Sequence, residues 1–150
     1  MHKDKPLKQS HLKVATDINA VAEILTWFDQ LASRQFPHQF CGDCQVVLDE
    51  AFANAVHHAH RHLPQTTPIE LELKIFADRL EMRIWDYGEP FDLLSKLEAL
   101  HHKGCNLLEE TGRGLILMER FTDELSYQRL SDQRNCLYMG KRLVAVSQQP

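Results

Sequence analysis

No apolar run in this 150-residue chain approaches the ~20 residues that a helix needs to cross a membrane. The opening stretch, MHKDKPLKQS, lacks the apolar core of a secretory signal. Basic charge is scarce as well. The 17 Lys and Arg are outnumbered by 21 Asp and Glu, leaving a net charge of -4. Binding a phosphate backbone needs concentrated cations instead. Neither a membrane nor direct nucleic-acid contact is therefore expected, and the expected setting is the cytoplasm, with the four cysteines reduced. Internal repeats and low-complexity linkers are also missing, so residues 1–150 read as one domain, long enough to bury a core. A hydrophobic content of 43% with 25% charged residues is that of an ordinary globular protein.

What is present is patterned. HLKVAT (11–16) reads as a short strand. In DINAVAEILTWFDQLASRQF, Ile18, Val21, Ala22, Leu25, Phe28 and Leu31 recur at helical spacing, with Asp17 placed to cap them. PHQFCGDC (37–44) reads as a loop, and a second helix is predicted from about Gln45 to Arg61, stopped by Pro64. The period then becomes two. Ile69, Leu71, Leu73 and Ile75 alternate with Glu70, Glu72 and Lys74, and Leu80, Met82 and Ile84 with Glu81 and Arg83. Joined by ADR, these runs predict a β-hairpin with one buried face. Residues 91–111 show no clean period and read as a lid or binding segment. GRGLILMERF opens a short helix, and DELSYQRL with NCLYMGKRL predict a final hairpin. The sum is an α+β fold, a two-layer sandwich with helices on one face of a mostly antiparallel sheet.

Three segments carry the chemistry. In LDEAFANAVHHAH (48–60), Glu50 and Asn54 lie one helical turn apart and share a face, while Val47, Ala51, Ala55 and Ala59 form a neighbouring stripe toward the sheet. An Asn carbonyl is a hard ligand for Mg²⁺, and a carboxylate one turn away can deprotonate an attacking hydroxyl. Taken alone, the pair reads first as a polar helix edge. Asp86 ends an apolar strand and precedes Gly88. A carboxylate there can accept from the exocyclic amine of adenine, with Gly88 allowing close approach of the purine. Gly112 and Gly114 flank Arg113 before an apolar helix, where backbone N–H groups and a guanidinium favour phosphate. Each signal is weak singly; their order along the chain is the strong one.

In these motifs the sequence resembles the bacterial anti-sigma factor serine kinases of the GHKL ATPase superfamily, over nearly the whole chain. The resemblance implies the Bergerat fold with an ATP lid over about 92–111. It puts Glu50 of DEAFANAVHHA (49–59) at the catalytic base and Asn54 at the Mg²⁺ ligand. Asp86 and Gly88 of DYGEPFD fall at the adenine anchor, and Gly112, Arg113 and Gly114 of GRGLILM at the phosphates. ATP and Mg²⁺ are the implied cofactors. The implied partners are a sigma factor and a STAS-type antagonist phosphorylated on a hydroxyl, with a homodimer also open. Two departures stand out: Pro90 replaces a second glycine and stiffens the turn, and Asn135-Cys136 replaces a Gly-Thr pair whose hydroxyl helps hold adenine, implying weaker nucleotide binding. The alternatives are a non-catalytic partner-sequestering module of the same fold and a detached histidine-kinase ATPase domain. The latter lacks a phospho-accepting helix pair.

Other features are tempting. His57, His58, His60 and His62, with the CxxC of Cys41 and Cys44, suggest a metal, yet a single CxxC is a poor zinc signal. His58 also matches a family histidine that binds no metal. His101 and His102 fall in the lid, with a phospho-acceptor role unsupported. Trp27 and Phe28 read as core and interface. Tyr87 reads either as a stacking partner for adenine or as packing.

Overall fold

The computed structural model describes residues 4–103 and 110–144. Five antiparallel strands, β1 (Lys8–Val14), β2 (Ile69–Ile75), β3 (Arg79–Asp86), β4 (Glu124–Arg129) and β5 (Asn135–Arg142), form one sheet in the order β1-β2-β3-β5-β4. Four helices, α1 (Val21–Ala32), α2 (His38–Asn54), α3 (Leu93–Lys103) and α4 (Glu110–Phe121), make up the rest of the expected two-layer α+β sandwich. Ile69, Leu71, Leu73 and Ile75 of β2 and Leu80, Met82 and Ile84 of β3 are all buried, the period-two pattern turned toward one core. The alternate positions carry charge on the opposite face, where Arg83 bridges Glu72 and Glu81.

The helices close the core from the other side. Asp17 accepts from the Asn19 N–H at 3.0 Å and caps a single 3₁₀ turn that leads into α1. The buried stripe of α1 is Ile24, Phe28 and Ala32, whereas Ile18 lies 37% exposed. The stripe is thus rotated from the expected one: it centres on Ile24, Phe28 and Ala32, with Val21 and Leu31 partly buried at its edge. Trp27 donates to the Ser10 hydroxyl at 2.9 Å and ties α1 to β1. Phe28 and Phe52 are fully buried, each contributing about 1.5–3 kcal/mol of apolar burial.

Three boundaries differ from the sequence reading. α2 begins at His38 behind Pro37, so PHQFCGDC is helix rather than loop, with Phe40, Cys41 and Cys44 buried in the core. The α-helix ends at Asn54 instead of continuing to Arg61, and Ala55–Ala59 widen into a π-helical turn in which the His60 N–H bonds the Ala55 carbonyl at 2.8 Å. The segment read as aperiodic contains α3. Asp92 caps it, accepting from the N–H and hydroxyl of Ser95 at 3.1 and 3.0 Å, and Leu93 and Leu97 are buried beneath it.

Candidate functional site

Glu50 and Asn54 stand one turn apart at the C-terminal end of α2, facing α4. Asn54 lines a cavity of about 680 Å³ bounded also by the ends of β3 and α3 and by the first turns of α4. Asp86, Gly88 and Gly112 line the same cavity, together with Lys96 and Tyr127, which the sequence reading did not single out. Glu50, Arg113 and Gly114 lie together just beyond its lining. Arg113 Nε is 3.6 Å from Glu50 Oε1, an ion pair longer than a hydrogen bond, and this buried nitrogen has no hydrogen-bond partner among the described residues.

The glycines sit differently from expectation. Gly112 and Gly114 lie inside the first turns of α4, not ahead of it. A Cβ on Gly114 would stand 2.9 Å from Glu50 Oε2, so the absent side chain is what admits that carboxylate, while the Asn54 amide at 3.6 Å would be in ordinary contact. A Cβ on Gly112 would meet Leu100 of α3 at 2.9 Å. Gly88 is required for a backbone contact as well as lining the cavity. A Cβ there would lie 2.4 Å from the Ala59 carbonyl oxygen, because the π-helical turn brings Ala59 against the β3 exit.

Asp86 is held by two donors. Its Oδ1 accepts from the Gly88 N–H at 2.8 Å and from the Asn135 side-chain amide at 2.8 Å. Asn135 is fully buried and also donates to the Gly88 carbonyl at 2.8 Å, while Arg129 donates to that carbonyl at 3.0 Å and to Asn135 Oδ1 at 3.3 Å. His60 completes the frame. Its Nε2 accepts from the Tyr87 N–H at 2.8 Å. The Thr16 hydroxyl donates to the Thr67 carbonyl at 2.6 Å, so it must accept from His60 Nδ1–H at 2.8 Å. Both bonds demand the same neutral tautomer. Burial pushes the imidazole below its ordinary pKa, against the opposing charge of Asp86. Tyr127, packed on Phe91 at 4.5 Å, has its phenol pushed up to about 12, first by burial and then by Asp86.

Asn135 and Cys136 divide the roles assigned to them as a pair. Strand alternation turns Asn135 toward Asp86, its register partner, and Cys136 toward the other face of the sheet beside Arg83 and Glu72. A polar group therefore does reach Asp86, from Asn135 rather than Cys136. Cys41 and Cys44 point into the core. Burial raises both thiols, Cys44 to about 12, and no group of three His, Cys, Asp or Glu side chains able to hold a metal occurs among the described residues. His60 is occupied as described, and His101 bonds Glu119 at 2.7 Å. Tyr87 is 43% exposed at the cavity edge. Among the described residues no helix is long and apolar enough to cross a membrane.

Residues 14–141 match the family model described as histidine kinase-like ATPase domain. The chain is similar to the serine-protein kinase RsbW of Bacillus licheniformis, 34% identical over 90 residues, covering 57% of this chain and 56% of that protein. The RsbW of Bacillus subtilis (strain 168) is 30% identical over 125 residues, covering 80% of this chain and 78% of that protein. The chain thus spans little more than half of the first relative and over three quarters of the second. The crystal structure of the RsbU and RsbW domains of a Mycobacterium tuberculosis protein superposes with a TM-score of 0.64 at 16% identity, over 92% of this chain and 33% of that one, a likeness of fold.

Proposed function

Because the chain belongs to the histidine kinase-like ATPase domain family, and within it to the group of the RsbW serine-protein kinases, we propose that it is an ATP-dependent serine/threonine protein kinase and anti-sigma regulator. Its substrate is a STAS-type antagonist, and a sigma factor is the competing partner. The supporting observation is the convergence of Asn54, Asp86 and Gly112 on one cavity, with Glu50 and Arg113 beside it.

A cavity of about 680 Å³ falls within the ~300–1,000 Å³ of small-molecule sites, and its two ends offer the donor set a nucleotide needs. Asp86 Oδ1 already accepts two hydrogen bonds, which leaves Oδ2 for the amine of adenine. Asn54 offers its carbonyl oxygen to Mg²⁺. The first-turn N–H groups of α4 lack intrahelical acceptors and, with Arg113, suit the phosphates. Mg-ATP, when bound, supplies the phosphoryl group to be transferred. Glu50 takes the proton from the attacking Ser or Thr hydroxyl at its carboxylate. α3, carrying Lys96 to the cavity wall, excludes water as a lid. Phosphate adds a charge of about -1.5 to -2 to the antagonist, enough to switch partners. The proposed setting is the cytoplasm, where buried thiols such as Cys41 and Cys44 stay reduced.

The test is to incubate the protein with Mg-ATP and the STAS-type proteins of its own genome and search for phosphoserine or phosphothreonine by mass spectrometry. One specific phosphosite on one such protein is expected. No transfer to any of them would leave the partner-sequestering module as the better account.

A further inference from the structure

A fully buried amide with a guanidinium behind it is more than a carboxylate anchor needs for packing. We propose that Asn135, oriented by Arg129, is a positioning residue that fixes the Asp86 carboxylate and so sets the preference of the cavity for adenine over guanine nucleotides. The proposal rests on the ATP reading of the same cavity.

The orientation of the amide follows from its neighbours. Arg129 is donor-only, and its Nη1 lies 3.3 Å from one end of the Asn135 amide, so that end is the carbonyl oxygen. The NH₂ then faces Asp86 Oδ1 and the Gly88 carbonyl, both acceptors, each at 2.8 Å. No flipped amide satisfies these contacts, because the carbonyl would then face two acceptors. The Gly88 N–H at 2.8 Å and the Asn135 amide both land on Oδ1, so rotation of the carboxylate would break two hydrogen bonds at once. Oδ2 is left as a fixed acceptor on the cavity side. It matches the amine at position 6 of adenine and opposes the carbonyl that guanine carries there. Without Asn135 only one bond restrains the carboxylate, which can then turn or draw in water to accommodate guanine.

The experiment is calorimetric titration of the full chain with Mg-ATP and Mg-GTP for wild type, Asn135→Leu, Asn135→Asp and Arg129→Gln, each checked by thermal unfolding. Asn135→Leu is expected to weaken ATP about 10- to 100-fold and GTP less, so that discrimination narrows. Asn135→Asp sets two carboxylates face to face. When they share a proton it replaces the lost donor, so ATP binding by this variant should strengthen as pH falls, a trend absent from wild type. The other titratable groups around Asp86 are His60, Tyr127, Cys136 and Arg129, all retained in that variant. Arg129→Gln keeps Asn135, whose amide still faces two acceptors, but removes the charged donor to its Oδ1 and so loosens it, and should narrow discrimination less than Asn135→Leu without abolishing binding. Wild type that binds no ATP would overturn the ATP reading itself. Wild type that binds ATP, beside a folded Asn135→Leu with unchanged affinity and discrimination, would overturn this proposal alone. Should Asn135→Leu fail to fold, unchanged discrimination in Arg129→Gln together with a flat pH response in Asn135→Asp overturns it.

Discussion

Replacing Gly114 by alanine sets two opposed effects against each other. Gly114 is helical, and alanine in a helix interior is about 0.5–1 kcal/mol more favourable than glycine. The new methyl would lie 2.9 Å from Glu50 Oε2, while its 3.6 Å distance from the Asn54 amide is ordinary contact. Carbon–oxygen contacts relax near ~3.4 Å, so the carboxylate must move by roughly half an ångström. It is the end of a flexible side chain, and leaving its rotamer costs about 0.5–1.5 kcal/mol. The two terms nearly cancel, and the melting temperature should stay within about 4 °C of wild type. Phosphoryl transfer should not survive as well. Misplacing a catalytic group by ~1 Å costs about 10²-fold, so a half-ångström shift of the base should slow transfer at least about tenfold. Thermal unfolding followed by circular dichroism and single-turnover transfer from Mg-ATP to a STAS-type partner read the two effects separately. A variant that phosphorylates at the wild-type rate would refute the assignment of Glu50. A fall in melting temperature beyond about 10 °C would show that the contact serves the fold instead.

Glu50→Ala and Asn54→Ala should fail differently: the first slows transfer by about 10²–10⁴ with Mg-ATP binding retained, the second weakens Mg-ATP binding and transfer together, as calorimetry beside a transfer assay would resolve. Gly88→Ala forces a methyl to within 2.4 Å of the Ala59 backbone carbonyl, so at least about 1–3 kcal/mol of stability should be lost in urea titrations, with ATP affinity falling as the turn shifts. His60 supplies a pH dependence. Its folded pKa lies below the ordinary 6.5, so the unfolded chain binds the extra proton first. Its contribution to stability is complete above 6.5 and is lost as pH falls from there toward the folded value. His60→Gln should flatten this part of the stability profile, and an unchanged profile by chemical denaturation would show that His60 is not its source.

Much of the frame is legible along the chain, because its causes are local. The alternation through Ile69–Ile75 and Leu80–Ile84 dictates strands with one buried face, and Asp17 marks the entry to α1, whatever lies elsewhere. Glu50 and Asn54 share a face by helical geometry alone. The start of α2 also carries a readable signal. Phe40, Cys41, Cys44, Val47 and Leu48 continue one helical stripe, but cysteines read as ligands hide a pattern that cysteines read as small apolar residues reveal. The Leu93, Leu97 and Leu100 spacing behind the Asp92 cap marks α3 in the same way. Other features have no local cause. That Asn135 rather than Cys136 reaches Asp86 follows from the register of β3 on β5, which pairs residues 49 apart in sequence. His60 became a neutral clamp, not one histidine of a cluster, because it is 1% exposed and both ring nitrogens are engaged, one by the Thr16 hydroxyl and the other by the Tyr87 N–H. Gly88 is pinned by Ala59 only after the helix has widened. Periodicity tells which way a side chain points along its own element. What it meets there depends on packing between segments distant in the chain, and only the tertiary structure decided that.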